Sequence, residues 1–248
     1  RESTRRGGMA EFTMPFVEAG SRAMPAQAAD TPRVTVSEAG AAIAAAKAAA
    51  AERFGTAELT PTSLEKVQGA VQSAVDAISS LADAVPTNPA ALAQFRRQMT
   101  DLRSSVTQLV ESPAELAAGV AAAVQDVGYL ATDLSQLPGR VEDLFDGTVS
   151  RFEAAFQQFK HLGGYEVPVA APASPATADE RQQRANLAAL QDLVRRSAIS
   201  EAARTSSAVE PETSDRALEI ADWVADALDD LLVTAGDTAA HPDTPAKA

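Results

Sequence analysis

The chain holds two histidines and no cysteine, which narrows the chemistry open to it. A thiolate metal site, a cysteine nucleophile and a disulfide framework all need a residue type that the sequence lacks. His161 stands where a helical pattern ends. A partly charged imidazole is favoured there by the helix dipole, so it reads as a cap. His241 falls in the tail. Neither has an acid or a nucleophile at triad or ligand spacing. Nucleophile elbow, phosphate loop and dinucleotide fingerprint are missing from the sequence. Gly163-Gly164 follows no strand and reads as a helix terminator. The expectation is no catalytic residue, no metal ligand, no cofactor and no enzyme.

Charge at helical spacing is the stronger pattern. Asp215, Glu219, Asp222, Asp226 and Asp229 recur every three or four residues and therefore project from one side of a helix. Hard cations take carboxylate oxygens. With no histidine or close carboxylate triad beside them, these acids read as a solvated face. Trp223 lies next to that face, either as a partner contact or as the edge of the packed stripe. Basic residues gather twice. Arg1, Arg5 and Arg6 open the chain, and Arg181, Arg184, Arg195, Arg196 and Arg204 lie along one helix. Asp179, Glu180, Asp192 and Glu201 offset the second group to about +1, and their spacing predicts surface ion pairs rather than a DNA-binding stripe.

The elements that position these groups are helices. Alanine fills 55 of 248 positions, and it is the best intrinsic helix former and a poor filler of sheet faces. Ser37-Glu38 predicts a helix start, with Gly55 as its stop. After Thr60-Pro61, a seam of Leu64, Val71, Ile78 and Val85 alternates with Val67, Ala74 and Leu81. Beyond Pro86–Pro89, Leu92, Phe95, Met99, Leu102, Val106 and Leu109 continue the alternation of a helix–helix seam. Ser112-Pro113 with Glu115 predicts the next start, and Leu116, Val120, Val124 (or Ala123), Val127, Leu130 and Leu134 form its seam. A fifth helix over about Arg140–His161 carries Phe145, Phe152, Phe156 and Phe159, half of the chain's eight phenylalanines. Short breaks between helices of this length predict antiparallel neighbours over 61–161.

Pro168, Pro172 and Pro175 then mark a linker over 163–178. A sixth helix to about Ser206 faces inward through Leu187, Leu190, Val194, Ala198 and Ala202. A seventh, from Thr213-Ser214 to about Thr234, is expected to face inward through Leu218, Ala221, Val224, Leu228 and Leu231. The remainder, 237–248, reads as a disordered tail. At the other end, Gly7-Gly8 and the alternation of Phe12, Met14 and Phe16 predict a residual β-hairpin over 1–20. A Pro/Ala connector over 21–36 follows, with a β-prone stretch at Arg33–Val36. The fold class is mainly α, an antiparallel helical bundle with long hairpins at 37–162 and a helical hairpin at 179–236.

Thirty-four acids against 21 bases give a net charge of −13, a field that repels phosphate. No uninterrupted apolar run reaches the roughly 18 residues of a bilayer span. Opening on Arg1 beside a lone hairpin, the chain reads as a fragment of a longer polypeptide.

Two stretches carry a resemblance. Residues 1–20, RESTRRGGMAEFTMPFVEAG, resemble the last hairpin of the N-terminal domain of phage DNA-circularisation proteins, the Mu-type protein N family. Residues 185–203, ANLAALQDLVRRSAISEAA, are similar to the Leu-Val-Arg-Arg helix of that family. The resemblance implies a tail component in or near the baseplate hub of a virion, touching other hub proteins and further copies of itself. Phe12, Phe16, Arg195, Arg196 and Trp223 are the expected partner contacts. It also implies a role after injection into the host cytoplasm, holding the ends of linear DNA together. The −13 charge disfavours placing that second role on these residues, although DNA contact remains open for the full-length protein.

Overall fold

The computed structural model describes residues 31–85, 87–132, 153–168, 176–208 and 214–239. All regular structure among them is helical, in agreement with the mainly α reading. In chain order the helices are α1 (Thr31–Arg53), α2 (Pro61–Ala84), α3 (Pro89–Leu109), α4 (Pro113–Thr132), α5 (153–163), α6 (Ala178–Ala208) and α7 (Ser214–Ala239). The expected hairpin over 1–20, with Phe12 and Phe16, lies outside the described residues, as do Leu134, Phe145, Val149 and Phe152.

Local chemistry explains most of the boundaries. Thr60 caps α2 by accepting from the Ser63 amide at 3.3 Å, with Pro61 in the first turn where its missing N–H is not needed. Asn88 does the same for α3, accepting from Ala90 N at 2.7 Å. At α6 a reciprocal capping box forms. The Glu180 amide donates to Thr177 Oγ1 at 3.1 Å, and the Thr177 amide donates to Glu180 Oε2 at 2.9 Å. The start of α1 departs from expectation. It begins at Thr31 rather than Ser37, so Arg33–Val36 is helical. Pro32 suits a first helical turn, and β-branched residues cost a helix only a few tenths of a kcal/mol each. The alanine run behind them offsets that.

Pro32–Arg53 is also long and apolar enough, by length and composition, to cross a bilayer, with a mean hydropathy of 1.2. Alanine carries that mean. One side of the helix is covered, since Ala39, Ile43, Ala46 and Ala50 are buried where α1 packs on α6 and α4.

The expected seams are the core. Val67, Val71, Ala74, Ile78 and Leu81 of α2 are buried, as are Phe95, Met99 and Val106 of α3. In α4, Leu116, Val120, Val124 and Val127 join the same cluster. Surface ion pairs display the direction of packing: Arg96–Asp83 at 2.8 Å and Arg103–Asp76 advance along α3 while they retreat along α2. Helix α6 is the shared element, in contact with α1, α2, α4 and α7. Leu187, Leu190, Val194, Ala198 and Ala202 are all buried. Its N-terminal half also staples α1 to α2. Asn186, fully buried, accepts from Gly55 N at 2.9 Å and donates to Gly55 O at 2.7 Å. Asp179 accepts from Thr60 N and from Ser63 Oγ, both at 2.7 Å.

Helix α7 does not sit as expected. Leu218 and Ala221 are exposed and Val224 is half-buried, whereas Ile220 is buried and Trp223 half-buried. The helix is held instead through Ile220 and Trp223. Trp223 meets Phe156 edge-on with ring centroids 5.2 Å apart, and Arg216 lies over the same ring at 5.7 Å while pairing with Glu153.

Glycine positions make the packing testable. A Cβ added at Gly40 of α1 or Gly69 of α2 meets nothing within 4 Å. Both glycines are interior to helices, where alanine is favoured by about 1 kcal/mol. Gly40→Ala and Gly69→Ala are therefore each expected to stabilise by roughly 0.5–1 kcal/mol in urea unfolding.

Candidate functional site

The clearest concentration of unusual chemistry lies where α4 meets α6. Along α6, Val194, Ser197, Glu201 and Thr205 fall on one buried seam at helical spacing, so a carboxylate stands where a hydrophobe would normally be. The Glu201 side chain is fully buried. Its Oε2 accepts from Arg204 Nε at 2.7 Å, one turn away. Oε1 has no hydrogen-bond partner among the described residues, and neither does Ser197 Oγ or Arg204 Nη2. The Arg204 guanidinium instead lies 4.6 Å from the centroid of the Tyr129 ring, which receives it as a cation–π contact.

Space for this knot comes from Gly128 on α4. A Cβ there would lie 2.6 Å from Glu201 Oε2 and 2.9 Å from Arg204 Nη2. Burial pushes the Glu201 carboxyl above its ordinary range, with Arg204 and the nearby Gln125 amide opposing and the Asp126 charge adding to it. Burial raises Asp126 as well. Asp126 and Tyr129 also line an open groove of about 430 Å³ between α3 and α4, together with Gln94, Phe95, Gln98 and Leu130. Glu201, buried, and Asp126, half-buried, thus stand with raised proton affinity beside one arginine. No imidazole and no third carboxylate joins them among the described residues.

The sign of the pH effect follows. A carboxyl whose folded value lies above its unfolded one contributes stability that is fully present below the unfolded value, 4.5 for Glu201. That contribution is lost as pH rises through the folded value. Asp126 acts in the same direction. Asp179 has the opposite sign. Hydrogen bonds from the Thr60 backbone and Ser63 hold it below its ordinary 3.8, so its contribution is lost as pH falls through the lowered value. Thermal melts from about pH 4.5 to pH 8 should show Tm declining with pH. The decline should be shallower in Glu201→Gln, and the slope is the readout because that variant also leaves Arg204 without its anion.

The residues singled out from sequence are dispersed. His161 is exposed in the last turn of α5, and its carbonyl accepts from Gly164 N at 3.2 Å. His241 lies outside the described residues. Asp215, Glu219, Asp222, Asp226 and Asp229 are all exposed on α7, as a solvated face would be. Arg195, expected at a partner surface, is turned inward: its Nε donates to the Gly163 carbonyl at 2.8 Å, closing the end of α5. Arg196 is half-buried. Trp223 resolves toward the packed edge, against Phe156 and within 3.3 Å of a Cβ placed on Gly163.

The arginine–acid pairs differ from those expected. Among the described residues Arg204–Glu201 is the one pair local to α6, whereas Asp192 pairs with Arg53 of α1 at 2.6 Å and Asp179 caps α2. Helical spacing along one element does not reveal a partner on another. The knot itself left a readable signal: Glu201 lies seven residues after Val194 in a buried seam, and Gly128 follows Val127 in another.

Comparison of the chain with family models, with curated proteins and with solved structures returned no match.

Proposed function

We propose that this chain is a non-enzymatic structural component of a contractile phage tail, located in or near the baseplate hub and touching other hub proteins and copies of itself. In this reading its helices form an antiparallel bundle with long hairpins at 37–162, followed by a helical hairpin at 179–236. The same reading includes a β-hairpin over 1–20. The resemblance of residues 1–20 and 185–203 to DNA-circularisation proteins supplies the tail location.

The observation that carries the structural role is the fate of the arginines on α6. The stretch 185–203 that bears the resemblance is the spine of the fold, with Leu187, Leu190, Leu193, Val194, Ala198 and Ile199 buried. Arg195 closes α5 and Arg204 serves Glu201 and Tyr129. Arginines bonded inside the protein are not free to neutralise phosphate, and the chain around them carries −13. This favours a scaffold over the second reading, a DNA-end-binding protein that circularises linear phage DNA after injection.

A gel shift with linear duplex DNA across a salt series separates the two. The scaffold reading expects no shift at physiological salt. A shift by this chain alone, weakening steeply with salt, would establish the DNA reading instead.

A further inference from the structure

The pair between Arg204 and Glu201 uses only part of what each group offers. Arg204 Nε donates to Glu201 Oε2 at 2.7 Å, whereas Arg204 Nη2 and Glu201 Oε1 have no partner among the described residues. A two-pronged arginine–carboxylate pair would satisfy both atoms. The guanidinium lies instead over the Tyr129 ring, 4.6 Å from its centroid.

That position brings a second anion into range. Asp126 stands three residues before Tyr129 on α4, a spacing that places the two side chains next to each other on one side of the helix. The Asp126 charge already acts on Glu201. Among the described residues, no hydrogen bond or ion pair engages Asp126.

The other helices packed around this joint bring no competing charge to Glu201, on which Arg204 and Asp126 are the charges that act. Arg53–Asp192 and Gly55–Asn186 run α1 antiparallel to α6, so the buried Ala39, Ile43 and Ala46 lie along its later half, with Glu38 exposed and Lys47 half-buried. Helix α2 meets α6 at the opposite end, through Ser63 and Asp179. On α7, Asp215, Glu219, Asp222 and Asp226 are exposed, and Arg216 pairs with Glu153 and Glu219. Beside Asp126, α3 lines the groove with Ala91, Gln94, Phe95 and Gln98, all uncharged.

We propose that Arg204 is shared between two carboxyls, bonded to Glu201 while that side chain is ionised and passed to Asp126 when Glu201 takes up a proton. The proton comes from solvent and binds a carboxyl oxygen of Glu201; otherwise only hydrogen bonds change. A neutral Glu201 no longer offers an anion, and the Arg204 side chain, 17% exposed, is too buried to stand unpaired. Its unused Nη2 then turns to Asp126. Burial favours the proton on Glu201, and the arginine favours the charge on Asp126, so one anion faces the guanidinium in both states. Asp126 and Tyr129 line the groove between α3 and α4. The exchange therefore neutralises a groove carboxylate on acidification, making the α4–α6 joint a pH-sensitive device.

Carboxyl-carbon NMR titration of the full chain tests the exchange, with Glu201→Gln and Asp126→Asn supplying the assignments. Glu201→Gln fixes a neutral side chain beside Arg204. Asp126, raised above its ordinary 3.8 in the native chain, should then titrate below that value. Loss of the Glu201 charge relieves a repulsion but leaves Asp126 half-buried, so a cation is needed to bring it below the ordinary value. Adding Arg204→Met to Glu201→Gln should carry Asp126 back above 3.8. An Asp126 that stays raised in Glu201→Gln, or stays lowered once Arg204 is removed, would overturn the exchange. Should the Glu201 variants lose helical circular dichroism, Asp126→Asn supplies a second readout. Below the Glu201 midpoint, the Arg204 Nε–H should exchange with water at least about tenfold faster in Asp126→Asn than in the native chain. Equal rates would overturn the exchange as well.

Discussion

Phe156→Ala is expected to cost roughly 3–5 kcal/mol and to release α7 from the rest of the fold. Phe156 is 2% exposed, and three interactions converge on its ring. Core packing surrounds it, Trp223 meets it edge-on, and Arg216 lies over it while bonded to Glu153. Truncation leaves a cavity and removes the surface on which the α7 anchors sit. The chain's single tryptophan reports the event directly. Trp223 emission should shift to the red in native buffer, and the urea midpoint should fall. A loss below about 1 kcal/mol with unshifted emission would mean that the α5 stripe is not a core. Leu218→Ala is the contrast, because Leu218 is solvent-exposed on the same helix. Surface truncation there should stay within about 0.5 kcal/mol for the isolated chain.

Gly128→Ala is expected to cost about 2 kcal/mol, the reverse of the gain at Gly40 and Gly69. Helix propensity favours alanine by about 1 kcal/mol at all three positions. At Gly128 that gain is outweighed, because the new methyl would lie 2.6 Å from a carboxylate oxygen that is itself fully buried. Over-packing costs 1–3 kcal/mol, and separating Glu201 from Arg204 leaves a buried charge short of its partner. A double-mutant cycle isolates the cause. Removing the carboxylate with Glu201→Ala should abolish most of the Gly128→Ala penalty, giving a coupling of at least about 1 kcal/mol. Additive losses would show that the two residues do not meet.

These two sites illustrate what the sequence could and could not reveal. Seams in α2, α3, α4 and α6 were legible because apolar residues at 3–4 spacing have one physical outcome, burial on a shared side. Val71, Phe95, Val120 and Leu190 all follow it. The face of α7 was misjudged because periodicity ranks stripes by continuity. Packing instead buried Ile220 and set Trp223 against Phe156 and beside Gly163. Cross-element polar contacts were also hidden. Asp179 counts in the sequence as an acid among the α6 arginines yet caps α2, and Asn186, unmarked within the 185–203 stretch, bonds both backbone groups of Gly55. Glu201 was counted as a surface counter-charge for α6 arginines. Its position in a buried seam, opposite a glycine in another, was the clue that a charge census discards.

Net charge gained a local meaning through the fold. Asp215, Glu219, Asp222, Asp226 and Asp229 of α7 lie exposed, whereas Glu201 is buried and Asp126 half-buried, and burial raises the proton affinity of both. Arg195, Arg204 and Arg53 are engaged with protein groups at Gly163, Glu201 and Asp192.

The most direct test of the scaffold account is electron microscopy of intact contractile tails carrying this polypeptide with an epitope tag, decorated by gold-labelled antibody. The account predicts gold at the baseplate end of every tail, in register with the hub. Tails that carry no label there, with the tagged chain recovered instead on the ends of injected DNA, would contradict it.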